Sequence, residues 1–251
     1  MTPARTKLLD ARKIYSKCAR CVELQIKSTQ LTADLSACIV GIGIACDWVR
    51  RAAEMEGISF IGDHLNESPW MPSFVETTRY AFAWYGINAI FAREEVLHLI
   101  GTPNPGNDGE LQRFRILFAA AALPPAVLAA REATLRSILA ESTTPRLPGL
   151  ASGTTVTTLY AIDKKYVPPT TKTKGVAKKI AEAAASGSMA DLDLPLLLYA
   201  FRNWSVHGNA LHGSFGGRPK FAAYVELLLE TLAETHVGTA TALLTKLGGT
   251  L

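Results

Sequence analysis

Apolar residues recur along most of this chain at intervals of three and four, and the segments carrying them are dominated by the strong helix formers Ala, Leu, Glu, Lys and Arg. The pattern predicts an all-α protein. A first helix is expected over about Thr6 to Lys27 and a second over about Thr32 to Glu56, where Gly57 supplies a stop; together they form an antiparallel hairpin. The joint GDHLNESPWMP separates this hairpin from a third helix of about Ser73 to Leu99, which runs out in the loop GTPNPGNDG. Helices over about Glu110 to Ala122 and Pro125 to Glu141 follow, with Pro124-Pro125 as break and new start.

From Ser142 to Gly175 the periodicity lapses into a stretch rich in Thr, Pro and Gly, a long, partly ordered excursion in which Thr154 to Ile162 could form a short strand. A basic helix over about Val176 to Ala185 comes next. It precedes DLDLPLLLYAFRNWSVHGN, a helix with Asp191 or Asp193 as N-cap, Pro195 in its first turn and Gly208-Asn209 as its stop. A last helix starts near Pro219 and ends near Thr235 or, past Gly238, near Leu247. The expected architecture is an up-and-down helical bundle: an N-terminal hairpin, residues 1–66, packed on a helical domain of residues 67–251 that carries the irregular insertion at about 142–175.

Composition narrows the class. With 251 residues, 48% hydrophobic and 19% charged, the chain folds rather than serving as a disordered tail, and at this size it can bury roughly 70% of its unfolded surface. Lys and Arg number 26 against 22 acids, and a net charge of +4 neither demands nor forbids a nucleic-acid partner. The start MTPARTKLL has no apolar run of signal-peptide length, so a cytoplasmic protein with reduced thiols is expected. Leu35 to Cys46 and Ile116 to Ala130 are both shorter than the roughly 18–20 residues a membrane span needs, which predicts no membrane association.

Several residue groups could carry chemistry. Cys18-Ala-Arg-Cys21 has the spacing of half a zinc site, yet Cys38 and Cys46 lie eight apart on an apolar stripe and offer no second half; all four read as small core residues. Glu95-Val-Leu-His98 matches one element of a di-iron bundle without its required repeat. His212-Gly-Ser-Phe-Gly-Gly217 lacks the Lys-Ser/Thr ending of a phosphate loop and reads as a flexible connection. Lys164, Lys165, Lys172, Lys174, Lys178 and Lys179 read as a solvated face, and Trp84, Tyr85, Asn88 and Phe91 as core packing at helical spacing.

Arg202-Asn203-Trp204-Ser205-Val206-His207 is more specific, although an Arg followed four to six residues later by a His is expected by chance about 0.8 times in such a chain. A second match, Arg93 to His98, exists, and there Glu94 would compete with a phosphate for the guanidinium. Around Arg202 the field is different. No acid occurs between Pro195 and Glu226, while Arg202, His207, His212, Arg218 and Lys220 all fall in that interval. On a regular helix Asn203 and His207 share a face, whereas Arg202 and His207 lie about 140° apart and would flank a site.

The Arg202, Asn203, His207 motif near the end of a penultimate helix resembles the HEPN (higher eukaryotes and prokaryotes nucleotide-binding) family, loosely over about Ser73 to Leu247. The resemblance implies a metal-independent endoribonuclease of the toxin or antiphage-defence kind, acting on RNA at a composite site of a homodimer and needing no cofactor. His207 would be its acid or base and Arg202 its phosphate holder; Asn203 would orient the His or bond the phosphate, with His212, Arg218 and Lys220 as substrate contacts. An antitoxin or other regulatory partner is implied as well. Some members of the family bind nucleotide or RNA without cleavage, or act as adaptors, and that alternative stays open.

Overall fold

A computed structural model describes residues 2–28, 33–59, 71–100, 109–141, 193–206 and 219–251. Among these residues the regular structure is helical throughout, in eight helices: α1 (Pro3–Ser28), α2 (Ala33–Glu54), α3 (Met71–Phe91), α4 (Glu94–Leu99), α5 (Glu110–Ala120), α6 (Pro125–Glu141), α7 (Leu194–Val206) and α8 (Pro219–Lys246). The protein is all-α, as the periodicity predicts. The insertion at 142–175, its short strand and the basic helix at 176–185 lie outside the described residues. The chain forms two compact units, one of Met1–Gly62, Thr78–Leu123 and Leu228–Leu251, the other of Asp63–Thr77 and Pro124–Leu227.

In the first unit α1 buries Ala4, Leu8, Ala11, Tyr15, Cys18 and Val22, alternately four and three residues apart, and so presents one continuous seam. The facing helix α2 buries Cys38, Ile42, Ala45, Val49 and Ala52. Pairing of Arg12 with Glu54 and of Ser16 with Cys46 shows the two helices running antiparallel, the expected hairpin. Cys18 and Cys38 are core residues, Cys21 and Cys46 are only half-buried, and no disulfide joins any of the four. Helix α3 has no exposed position from Phe74 to Phe91, as befits an element covered on every side. Trp84 and Phe91 lie in its core face, with the Phe114 ring 4.6 Å and 5.8 Å away, whereas Tyr85 and Asn88 are only half-buried.

Two helix ends differ from expectation. Helix α2 stops at Glu54, before Gly57, which adopts no left-handed conformation. The stop is made by arginines instead: Arg5 Nε donates to Ala53 O at 2.9 Å, and Arg79, only 2% exposed, donates to Ala52 O at 2.9 Å and to Met55 O at 2.5 Å. Carbonyls at a helix C-terminus lack intrahelical partners and carry partial negative charge, so cations satisfy them on both counts. The expected single helix from Ser73 to Leu99 is likewise two, broken at Ala92-Arg93, where Arg93 is extended (φ −104°, ψ 117°). Glu94 and Glu95 then occupy a first turn, the position that favours acids.

A buried polar link crosses the core of this unit. His236 on α8 is fully buried; its Nε2 lies 2.8 Å from Ala83 O on α3 and its Nδ1 3.1 Å from the Tyr15 hydroxyl on α1. A carbonyl can only accept, so Nε2 carries the proton and Nδ1 accepts from Tyr15. Burial pushes the imidazole down to about 4, with the Ala83 carbonyl opposing, and pushes the Tyr15 phenol well up. Gly86 makes room: a Cβ there would lie 3.2 Å from His236 Cε1 and 3.3 Å from Ala45 O. Gly238, one of the two possible sites for the end of the last helix, interrupts nothing. Helix α8 continues to Lys246 because Gly238 lets it approach the backbone of Ala121, whose oxygen would lie 2.1 Å from an added Cβ.

Two outcomes follow for stability. An unfolded chain binds a proton on His236 as the pH falls through about 6.5, and the folded chain only near 4, so the unfolded state holds more protons between them. Stability due to neutral His236 is therefore complete above about pH 6.5 and lost progressively down to about pH 4, up to about 3 kcal/mol. Urea unfolding at intervals from pH 7.5 to 4.5 should show this slope in wild type and a shallower one in His236→Gln. Gly238→Ala, which on an exposed helix would gain about 1 kcal/mol, should instead lose about 2 kcal/mol or more through overlap with Ala121; the denaturation midpoint gives the sign.

Candidate functional site

Helix α7, in the second unit, carries Arg202 and Asn203 of the motif, and its start is fully accounted for. Leu194 N–H donates to Glu132 Oε1 of α6 at 3.4 Å, Pro195 has no N–H to satisfy, and Leu196 N–H donates to Asp193 Oδ1 at 2.9 Å. Of the two acids that could cap this helix, Asp193 does so, and its carbonyl accepts the first helical bond from Leu197. Leu194, Leu197, Leu198 and Phe201 form the buried face. Phe201 meets the ring of buried Tyr224 on α8 edge-on at 6.0 Å, and desolvation raises the Tyr224 phenol. With Phe201 seated, Arg202 and Asn203 are set on the flank of the helix, both half-buried.

The structure brings Arg202 and Asn203 together. Arg202 Nη1 donates to Asn203 Oδ1 at 2.7 Å, and the guanidinium carbon lies 5.7 Å from the centroid of the Tyr199 ring. Neighbouring residues on a helix point about 100° apart, so this bond requires the Arg202 side chain to bend along the helix surface. Asn203 is neutral, so this bond itself brings no negative charge to the guanidinium. His207, His212 and Arg218, together with the side chain of Lys220, lie outside the described residues. Tyr199 is the residue that sequence reasoning passed over, although an aromatic three positions before an arginine on a helix is a readable sign of such a contact.

The second Arg and His match is committed elsewhere. Arg93 Nη1 donates to Ala89 O at 3.1 Å, closing the end of α3, and its stem lies against Gly41. Glu94 pairs with Arg113 at 2.8 Å. Exposed His98 and half-buried Glu95 line a cleft of about 410 Å³ with Leu35, Cys38, Glu94 and Leu99. Among the described residues no group of three or more His, Cys, Asp and Glu side chains is arranged to hold a metal ion. No helix among them is long and apolar enough to cross a membrane.

Comparison with protein families, with curated proteins and with solved structures finds no match to this chain.

The N-terminal caps of α7 set the position of everything after them. Asp193→Ala should lower stability by about 1 kcal/mol, read as a shift of the urea midpoint at constant slope, and a larger loss is expected when Glu132→Ala is added.

Proposed function

We propose that this protein is a metal-independent endoribonuclease of the HEPN type, with Arg202, Asn203 and His207 as its reacting constellation. The observation that carries this reading is the Arg202 guanidinium held by Asn203 at 2.7 Å and backed by Tyr199, inside a stretch of sequence without a single acid from Leu196 to Val225. Such a group suits a phosphodiester: a planar, permanently charged fork in a positive local field.

In the proposed reaction the ribose 2′-oxygen attacks the adjacent phosphorus, the bond to the 5′-oxygen breaks, and a 2′,3′-cyclic phosphate remains on one product. His207 takes the 2′-hydroxyl proton or protonates the leaving 5′-oxygen, and an imidazole near its ordinary pKa of about 6.5 can do either close to neutrality. Arg202 holds the phosphate as negative charge grows on its oxygens. Asn203 orients the guanidinium. A reaction that uses the 2′-hydroxyl leaves DNA untouched. By the same reading two copies of the chain pair so that their motifs share one cleft, and an antitoxin or regulatory partner restrains the cleavage.

Purified protein incubated with tRNA and mRNA should cleave both in the presence of EDTA. His207→Ala should lose about 100-fold or more of the rate and Arg202→Ala a comparable amount, with unchanged helical circular dichroism. Cleavage that survives both substitutions excludes this assignment. RNA binding without cleavage by wild type makes the chain a binding module of the same family.

A further inference from the structure

We propose that Tyr199 is the positioning residue of this site: its ring holds the Arg202 guanidinium in the orientation that receives a phosphate. The inference rests on the reading of Arg202 as a phosphate holder and adds a residue that reading does not contain.

An arginine side chain loses much of its rotamer freedom when it is fixed. If a phosphate must fix it, affinity and rate fall; if the protein has already fixed it, they do not. Helical side chains lean toward the N-terminus of their helix, which directs Arg202 over the preceding turn, where Tyr199 stands. The guanidinium carbon is 5.7 Å from the Tyr199 centroid, within the range of attraction between a cation and the negative face of a ring. Asn203 supplies the second restraint at 2.7 Å, bonding one edge of the fork. A ring below and an amide at the edge define both the plane of the guanidinium and its rotation in that plane.

The backbone under these residues is itself fixed. Leu198 and Phe201 flank the pair and are buried, at 0% exposure each, and Asp193 and Glu132 close the start of the helix. Tyr199 is half-buried, so one part of it packs while the remainder is available to Arg202. The attraction between the guanidinium and the aromatic face is a property of the ring.

A double-mutant cycle tests this. Binding of a short single-stranded RNA whose 2′-hydroxyls are methylated, and which cannot be cleaved by this route, is measured by fluorescence anisotropy. Cleavage of the unmodified RNA is measured beside it. Tyr199→Leu should weaken binding about three- to tenfold and lower kcat/KM at least as much, at unchanged melting temperature. Tyr199→Phe should restore both to within about twofold of wild type. In an Arg202→Ala background Tyr199→Leu should change nothing further. Equal losses in the two backgrounds, or a Tyr199→Phe as weak as Tyr199→Leu, would overturn the proposal while the ribonuclease reading stands. Wild type and Arg202→Ala that bind and cleave alike would sink both. Should Tyr199→Leu melt early, Tyr199→Met is put through the same cycle with the same criteria.

Discussion

The first unit depends on one buried interaction, the line from the Tyr15 hydroxyl through the His236 ring to the carbonyl of Ala83. It joins three helices, α1, α8 and α3, that are separated by up to 221 residues of chain. A histidine sealed in an apolar core is tolerable only when both ring nitrogens are bonded, because an orphaned polar group there costs its desolvation in full. Here both are bonded and the ring stays neutral. Several other features fall into place around it: the bare Gly86 that admits the ring, the seam on α1 that places Tyr15 three residues before Cys18, and the close approach of α8 to Ala121 at Gly238. Move any one helix by a turn and the ring loses a partner.

Helix ends in this protein are finished by charged side chains, some from other helices and some from the flanking residues themselves. Arg5 and Arg79 close α2, Arg93 closes α3, and Glu132 and Asp193 open α7. In each case the charge has the sign that the helix dipole favours. The same logic extends to the candidate site. Arg202 stands near the end of a helix whose start is fully bonded and which is anchored by Phe201 on Tyr224, so its guanidinium is set against the Asn203 amide and the Tyr199 ring.

Much of this was legible in the residues. The spacing of apolar positions located the hairpin, and with Pro124-Pro125 as the break both ends of α6 were placed to the residue. The caps of α7 were visible as an acid, a proline in the first turn and a leucine face. At the end of α2 the reading failed because its partners are distant in sequence. Gly57 looked like a stop, but the carbonyls of Ala52, Ala53 and Met55 were claimed by arginines 24 to 48 residues away. The helix expected through Leu99 had no breaker in its composition; Glu94-Glu95 preferred a fresh N-terminus once Arg93 turned back onto Ala89.

The sequence by itself determined the helical class, the approximate extent of most helices, and the acid-free interval that surrounds Arg202 and His207. All of these follow from local periodicity and local charge, which a chain carries whatever its neighbours are. Only the tertiary structure decided that Arg93 serves a helix end while Arg202 meets an amide and an aromatic ring, that Gly238 is a contact rather than a terminus, and that His236 is an interior strut. Those outcomes turn on which side chains and carbonyls come within about 3 Å across helices, and no local pattern encodes that distance.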